Sequence, residues 1–280
     1  MSGNRAIARY YDTMTVFYHG FYSRAGLHYG LWNRGTLTLR QALFNHKAAL
    51  LAALAPDSAS EVLDAGCGTG ATALYFQQRT GCRVTGINLS ADQLRRARRA
   101  AARQGVDASV RFVQGDFADT GLSGAGFSHA LASESFCHAR DKRAFLQEMF
   151  RLLRPGGRLI VADFFLDRPE DRLTATQRYY HDRVKAGFVI PGFISRDELH
   201  AHARAAGFHS VGDQDWTESV RRTAYHIQRR ALLTLPFGWL LNRLRLAPAE
   251  LMPHLRCCAA QPGALRNLGT YRLISLDKPD

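Results

Sequence analysis

The chain has 280 residues, of which 46% are hydrophobic and 22% are charged, and these proportions exclude a disordered or fibrous protein. Its formal charge is +13, because 37 basic residues, only four of them lysines, outweigh 24 acidic ones. Such an excess favours an anionic partner, for example a diphosphate-bearing substrate or an acidic membrane surface. The sequence contains no RNA- or DNA-binding motif, so nucleic acid is not expected as a partner.

The cysteines and the apolar segments indicate where the protein works. The five cysteines are odd in number and form no C-x-x-C pair, which indicates reduced thiols. The first residues lack the apolar run of a secretory signal, and no segment has the roughly 20 apolar residues of a membrane span. We therefore expect a cytoplasmic protein. The histidines show no metal-ligand spacing, so no metal is expected, although Mg²⁺ bridging a diphosphate substrate to a carboxylate stays open.

The first 60 residues are predicted to form a helical arm with an unusual density of aromatic side chains. Such a density suggests that the arm covers something apolar, so we expect it over the functional site. The aromatic residues are Tyr10, Tyr11, Phe17, Tyr18, Phe21, Tyr22, Tyr29 and Trp32.

Residues 61–163 alternate short β-branched runs with helical patterns, which is typical of βαβ units around a parallel sheet. The segment Ser90-Ala-Asp-Gln93 predicts a capping box that opens a helix ending near Gly105. Apolar residues at helical spacing predict a second helix over 141–153. The predicted strands are Glu61–Ala65, Arg83–Ile87, Val110–Val113, Phe127–Ser133 and Arg158–Asp163.

Residues 164–280 are predicted to complete the sheet and to cap it. Residues 164–194 resemble an insertion, and Ser195-Arg-Asp-Glu198 predicts another capping box, at the start of a helix that ends at Gly207. Two further strands are predicted over 208–217 and 268–276. Together the seven strands fit one α/β sheet with helices on both faces.

Between the last two strands, residues 229–243 form an apolar run that is bracketed by arginines and interrupted by Pro236 and Gly238. The run is too short to span a bilayer. It is suited to lie on an anionic surface, to roof an apolar pocket, or to pack as an ordinary helix against the sheet.

A glycine-rich loop follows the first strand and reads Asp64-Ala-Gly66-Cys-Gly68-Thr-Gly70. Glycines at alternate positions let the backbone approach a ligand closely, and the next helix offers its N-terminal amides. Dinucleotide-binding folds also carry such a loop, but their spacing is G-x-G-x-x-G. An oxidoreductase on a related fold is therefore disfavoured, and a binding-only protein with the same pocket remains an alternative.

The segment E-V-L-D-A-G-C-G-T-G resembles the first motif of class I S-adenosylmethionine-dependent methyltransferases, which share a Rossmann-like seven-stranded sheet. The resemblance implies that Asn88 holds the ribose hydroxyls, where the family usually has an acidic residue. It also implies that Asp116 accepts a hydrogen bond from the adenine amino group and that Phe117 packs on the ring. The expected cofactor-binding residues are Asp64, Gly66, Cys67, Gly68, Gly70, Asn88, Leu89, Gln93, Gly115, Asp116, Phe117 and Ser133.

Each of these residues also has a purely structural interpretation. Asp64 could cap a turn, Asp116 could cap a helix, and Phe117 could belong to the core. The joint interpretation depends on five segments in register, the last being Leu153-Arg-Pro-Gly-Gly157 before the fifth strand.

Flanking segments point to a branch of this family. The segments Tyr10-Tyr11-Asp12, His28-Tyr-Gly-Leu-Trp32, Glu134-Ser-Phe-Cys-His138 and Asp215-Trp-Thr-Glu-Ser-Val220 resemble sterol and tocopherol C-methyltransferases and bacterial relatives that act on prenyl chains. The resemblance implies methylation at carbon of a lipophilic isoprenoid or prenylated molecule, such as a sterol, a prenyl quinol or a prenyl diphosphate. Methylation of oxygen or nitrogen in a small natural product is the alternative.

Glu134 and His138 follow the fourth strand, at the carboxyl edge where α/β sheets place ligands. They are therefore the candidate catalytic bases, with Glu134 either as the base itself or as the orienter of His138. Alternatively, Glu134 caps a helix and His138 is a hydrogen-bonded surface residue. Four aromatic residues are candidates to line the acceptor pocket, although an aromatic stripe is more often part of a core. These are Tyr10, Tyr11, Trp32 and Trp216.

Overall fold

The computed structural model describes residues 2–21, 23 and 28–280, and within it seven strands form one sheet in the order β3-β2-β1-β4-β5-β7-β6. Strands β1 to β5 are parallel, whereas β7 runs antiparallel between β5 and β6. This is the α/β architecture that the sequence predicts. The strands are β1 Glu61–Ala65, β2 Arg83–Asn88, β3 Val110–Gln114, β4 Phe127–Ser133, β5 Leu153–Leu166, β6 His209–Asp215 and β7 Gly269–Asp277.

Strand β5 begins five residues before its predicted start, at Leu153 instead of Arg158. Leu153 pairs with Phe127 across a register shift in β4, and the Gly156 amide donates to the carbonyl oxygen of Lys278, beyond β7. The Pro155-Gly156 segment thus joins the sheet through long-range partners, which the local pattern of prolines and glycines does not show.

The helices cover both faces of the sheet. Side chains of helices α2, α3 and α4 pack with Val62 and Leu131 on one face, and those of α5 and α7 pack with Leu63 and Ala130 on the other. The alternation of neighbouring residues between faces follows the twofold period of a strand. The helices are α1 Ser2–Phe21, α2 Leu39–Leu54, α3 Ala71–Thr80, α4 Ala91–Gln104, α5 Lys142–Leu152, α6 Ala175–Phe188, α7 Arg196–Ala205, α8 Thr217–Arg243 and α9 Leu251–Asn267.

The two predicted capping boxes behave differently. Ser195 and Glu198 satisfy each other's backbone amides at the start of α7, as predicted. At α4, Ser90 accepts from the Gln93 amide, but the Gln93 side chain bonds Asn88 and Thr15 instead of returning to Ser90. The second half of that box is therefore not formed, because tertiary partners compete for the amide.

Helices α6, α8 and α9 form the cap. At the crossing of α6 and α9, a Cβ on Gly187 would lie 2.1 Å from that of Cys257, so only glycine permits this approach. Helix α8 continues through Pro236 and Gly238. Pro236 is exposed, so the carbonyl that loses its helical partner to the proline can bond water. Among the described residues, no helix is both long and apolar enough to cross a membrane.

Candidate active site

A cavity of about 290 Å³ opens at the carboxyl ends of β1 and β4, between the sheet, helix α1 and the cap. Open α/β sheets bind ligands at this edge. The predicted site residues in its wall are Tyr11, Asp64, Gly66, Cys67, Gly68, Asn88, Leu89, Gln93, Phe117, Ser133, Glu134 and His138.

The three glycines of the loop after β1 have different surroundings. A Cβ on Gly66 would lie 2.3 Å from the Ser135 Cβ, and one on Gly70 would lie 2.7 Å from the Phe112 ring. By contrast, a Cβ on Gly68 would meet no atom closer than 3.9 Å. Gly68 therefore leaves room for a ligand, whereas Gly70 lies outside the cavity wall and permits close packing of the loop.

Asp64 and Ser133 lie at the carboxyl ends of neighbouring strands and present buried oxygens to the cavity. Asp64 Oδ2 and Ser133 Oγ have no hydrogen-bond partner among the described residues. Burial raises the pKa of Asp64 to about 7, because a carboxylate loses hydration there. A cationic, hydrogen-bonding ligand would satisfy both atoms, which fits the ammonium group of S-adenosylmethionine.

Helix α1 closes over the loops that follow β2 and β3. Ser90 Oγ donates to the Asp12 carboxylate, and Gln93 Nε2 donates to Thr15 Oγ1 at 3.1 Å. Asn88, the expected ribose-binding residue, donates to Gln93 Oε1 at 2.8 Å. The arm therefore contacts the expected cofactor-binding segment directly. Tyr22 and the side chains of Tyr18 and Phe21, which the sequence also assigns to the arm, lie outside the described residues.

The segment after β3 is only partly exposed to the cavity. Phe117 is in the wall and packs edge-to-face on Phe145. Gly115 and Asp116 are not in the wall, because Gly115 lies against Ile87 and the Asp116 oxygens accept from Ala118 N at 2.9 Å and Asn4 Nδ2 at 2.6 Å. Asp116 would have to exchange Asn4 for the adenine amino group to fill its expected role.

Glu134 is held in a strained turn directly after β4. Its φ angle is +53°, a left-handed conformation that non-glycine residues rarely adopt outside functional or turn positions. Its amide donates to the Ala162 carbonyl oxygen at 2.8 Å, which fixes the turn to β5. The turn places the Glu134 carboxyl group in the cavity wall.

Two donors bind one oxygen of the Glu134 carboxylate. The Tyr29 amide donates to Oε1 at 2.6 Å, and the Tyr271 hydroxyl donates to the same atom at 2.8 Å. Burial raises the pKa of Glu134 to about 8, although both hydrogen bonds oppose that rise. Within the described part of the chain, Oε2 receives no hydrogen bond from protein, so this oxygen remains available to a substrate.

A chain of buried rings supports the Tyr271 hydroxyl. His46 Nε2 lies 3.3 Å from Tyr271 Oη, and His46 Nδ1 lies 2.7 Å from His28 Nδ1. Burial lowers the pKa of His28 to about 4 and that of His46 well below its usual value. Both rings are therefore neutral near pH 7, so the chain carries hydrogen bonds to Glu134 without adding charge.

His138 also faces the cavity but does not pair with Glu134. Its Nε2 lies 2.8 Å from the Tyr11 hydroxyl, and burial lowers its pKa to about 3. Its Nδ1 has no partner among the described residues. The Glu134 carboxylate bonds Tyr29 and Tyr271 instead, so the two residues form no orienter and base pair in this structure.

Three of the four expected pocket aromatics lie elsewhere, in contrast to the sequence prediction. Trp32 donates to Thr223 at 2.8 Å and stacks on His226. Trp216 is buried in the core on one face of the sheet, and the Tyr10 hydroxyl bonds His254. Only Tyr11 of the four reaches the cavity wall. These rings pack secondary elements together, as aromatic stripes commonly do.

Several wall residues carry no sequence motif. Tyr271 lies on β7, in a part of the chain with no recognised resemblance, and its position in a buried strand resembles that of a core residue. Asp163 ends the predicted part of β5, and burial raises its pKa to about 6. The cap adds apolar side chains from α6, α8 and α9, which are Val184, Phe188, Ile227, Ala231, Leu241, Leu251, Leu255 and Leu265.

The positive charge of the chain is not concentrated in the cavity. Of the lysines and arginines described, only Arg230 lines it, whereas three carboxyl groups do so: Asp64, Glu134 and Asp163. The described residues also contain no group of three or more histidine, cysteine or acidic side chains placed to hold a metal ion. The inference from net charge to a diphosphate substrate therefore gains no support from the wall.

Comparison with known proteins places this geometry in a family. A methyltransferase-domain family model matches residues 62–157. The chain is 32% identical over 205 residues to 27-O-demethylrifamycin SV methyltransferase of Amycolatopsis mediterranei, covering 70% of this chain and 74% of that protein. It is also 28% identical over 283 residues to sterol 24-C-methyltransferase of Eremothecium gossypii, covering 92% of this chain and 75% of that protein.

A solved structure shares the fold across nearly the whole chain. Geranyl diphosphate C-methyltransferase from Streptomyces coelicolor A3(2), in complex with Mg²⁺, geranyl diphosphate and S-adenosyl-L-homocysteine, has a TM-score of 0.74 and 21% identity, covering 99% of this chain and 98% of that chain. At this identity the likeness concerns the fold alone. With the curated relatives and the glycine loop, the chain belongs to the class I S-adenosylmethionine-dependent methyltransferases.

Proposed function

We propose that this methyltransferase acts at a carbon atom of a lipophilic isoprenoid or prenylated molecule, with Glu134 as the catalytic base. The observation that carries the proposal is the Glu134 carboxylate, which is partly buried and is held by two donors in a strained turn beside an apolar cavity. A sterol or a prenyl quinol suits this wall better than a prenyl diphosphate, because the described lining has three carboxyl groups and one arginine.

The cofactor side of the cavity would be built from the ends of the parallel strands. Asp64 and Ser133 would receive the cationic amino-acid part, and the open face of Gly68 would allow close approach of the backbone. Asn88, Leu89 and Gln93 would contact the ribose, and Phe117 would pack on the adenine. S-adenosylmethionine supplies the methyl group from its sulfonium, and the rest of the cofactor departs as a neutral thioether.

The acceptor side of the cavity must stabilise a positive charge that forms on the acceptor during methyl transfer. When a carbon–carbon double bond attacks the methyl carbon, the other alkene carbon becomes cationic. The Glu134 carboxylate and the rings of Tyr11, Tyr29 and Phe164 line the cavity, and such groups stabilise a nearby cation. The surrounding protein lowers the effective dielectric constant at the cavity wall, which strengthens that effect.

Glu134 would then complete the reaction by proton transfer. Its free oxygen accepts a proton from a carbon next to the cation, and the electron pair of that C–H bond re-forms an alkene. Glu134 becomes neutral, and its raised pKa of about 8 suits a group that alternates between the two forms near neutral pH.

Methylation of a hydroxyl oxygen is the second candidate. It is favoured by the 32% identity to 27-O-demethylrifamycin SV methyltransferase, which exceeds the 28% identity to sterol 24-C-methyltransferase. Glu134 could serve there too, by removing the hydroxyl proton as the oxygen attacks.

A product-labelling experiment decides between the candidates. The purified protein is incubated with cofactor carrying a carbon-13 methyl group and with sterols, prenyl quinols or prenyl diphosphates, and small phenols and amines serve as controls. The carbon-13 chemical shift of the product distinguishes a methyl group on carbon from one on oxygen or nitrogen. We expect a carbon-bound label in a lipophilic acceptor, and turnover of the phenols and amines alone would contradict the proposal.

A further inference from the structure

Helix α8 presents an apolar stripe to solvent. Leu233 is 72% exposed, Phe237 60%, Leu240 45% and Leu244 56%. Their spacing of four, three and four residues places them on one side of a helix. Monomeric soluble proteins rarely leave a contiguous apolar surface uncovered unless it binds something, so this stripe is a candidate contact surface.

The charged residues of this segment of the chain have one sign. From residue 219 to residue 249 the sequence contains six arginines and no aspartate or glutamate. Arg229, Arg243 and Arg245 are exposed at the two ends of the stripe, and Arg243 lies over the Trp239 ring. Exposed leucines and aromatics flanked by arginines are typical of helices that lie in the interface of an anionic bilayer.

The same helix borders the cavity. Ile227, Ala231, Gly238 and Leu241 line the cavity from the inner side of α8, while Phe237 lines it and is also 60% exposed. The stripe and the cavity therefore meet at Phe237. A molecule dissolved in a bilayer under the stripe would therefore lie beside this part of the cavity wall.

We propose that the α8 stripe docks the protein on the surface of an anionic phospholipid bilayer, from which the acceptor enters the cavity beside Phe237. The entry route rests on the proposed lipophilic acceptor, whereas the docking itself does not. A second copy of the chain is a poorer occupant, because a twofold contact through this stripe would bring like-charged arginines together.

The test is co-sedimentation with vesicles that contain no acceptor, at low salt. Vesicles of phosphatidylcholine with about one third phosphatidylglycerol are compared with vesicles of phosphatidylcholine alone. We expect binding to the anionic vesicles that weakens with added salt. If the wild-type protein stays in solution with anionic vesicles at low salt, the proposal is overturned.

Two multiple-substitution variants, each with a matched control, test whether the α8 stripe is the surface that contacts the bilayer. Replacing Arg243 and Arg245 by Gln should weaken vesicle binding roughly 30-fold, at about 1 kcal/mol per arginine. The control is Arg99→Gln with Arg103→Gln, at two exposed positions on α4, and it should change vesicle binding far less. Leu233→Gln, Leu240→Gln and Leu244→Gln together should abolish it, whereas Leu37→Gln, at a leucine that is 76% exposed elsewhere, should not.

These outcomes separate docking from catalysis. Equal losses in the stripe variants and in their controls would overturn the proposal. So would sedimentation equilibrium that shows a wild-type oligomer turned into a monomer by the stripe variants, because the stripe would then join copies of the chain. Failure to methylate any lipophilic acceptor would remove the proposed function and the entry route, but it would leave the vesicle measurements standing.

Discussion

The two halves of the cavity are built by different means. The half proposed to bind the cofactor consists of strand ends and a glycine loop, where Gly68 exposes backbone and Asp64 and Ser133 present single polar atoms. The half proposed to bind the acceptor consists of apolar side chains on α6, α8 and α9. Backbone geometry thus fixes one half, whereas side-chain choice shapes the other. Glu134 lies where the two halves meet.

The largest expected effect is loss of the proposed base, Glu134, where the two halves of the cavity meet. Glu134→Gln keeps the shape of the side chain but removes its ability to take a proton, so turnover should fall roughly 10²- to 10⁴-fold. Calorimetric titration should show that S-adenosylmethionine affinity is retained. Glu218→Gln, at a surface residue that pairs with Arg221, is the control and should behave as wild type. Near-normal turnover of Glu134→Gln would place the base elsewhere.

The next effect tests the cofactor half alone. Gly68 has φ +54° and faces the cavity, so Gly68→Ala adds both backbone strain and a methyl group in the ligand's space. We expect the dissociation constant for S-adenosylmethionine to rise about tenfold or more, equivalent to 1.4 kcal/mol. Gly105→Ala is the control. It introduces similar backbone strain, at φ +67°, but its added Cβ would meet no atom within 4 Å. Equal affinities for the two variants would exclude Gly68 from the cofactor site.

The smallest expected effect follows from removing the hydrogen bond that the Tyr271 hydroxyl donates to Glu134. The base must be ionised, so kcat/KM should rise with pH through the pKa of Glu134 near 8. Tyr271→Phe removes a hydrogen bond that lowers this pKa. The rising limb of the plot of kcat/KM against pH should therefore move about one unit to higher pH. Activity then falls several-fold at pH 7 and recovers at high pH.

The Tyr271 prediction has its own control. Tyr225→Phe removes a hydroxyl that bonds Arg266 on the surface and should leave the pH profile unchanged. An unshifted limb in Tyr271→Phe, or an equal shift in both variants, would show that Tyr271 does not tune Glu134.

The same division explains what the sequence could predict. Strand β1, the glycine loop and the turn after β4 carry local patterns, so residue type and spacing suffice to propose Asp64, Gly68 and Glu134, all of which lie in the cavity wall. Tyr271 was missed because a tyrosine in a buried strand has no local mark of its hydrogen bond to Glu134. Trp216 was assigned to the pocket because sequence shows that a ring is buried but not what it packs against.

Membership of a sequence motif also did not determine whether a residue faces the cavity. Gly68 and Gly70 belong to the same loop, yet Gly68 faces the cavity and Gly70 packs against Phe112. Asp116 follows β3 as expected, but Asn4 of the arm occupies one of its oxygens. These differences depend on contacts between residues far apart in the chain, which a local motif does not encode.

A crystal structure of the complex with S-adenosylhomocysteine tests the central claim most directly. We expect electron density for the amino-acid part between Asp64, Gly68 and Ser133, the adenine against Phe117, and the sulfur directed toward the side of the cavity where Glu134 lies. Density in another part of the molecule, or a sulfur that faces away from Glu134, would contradict the account.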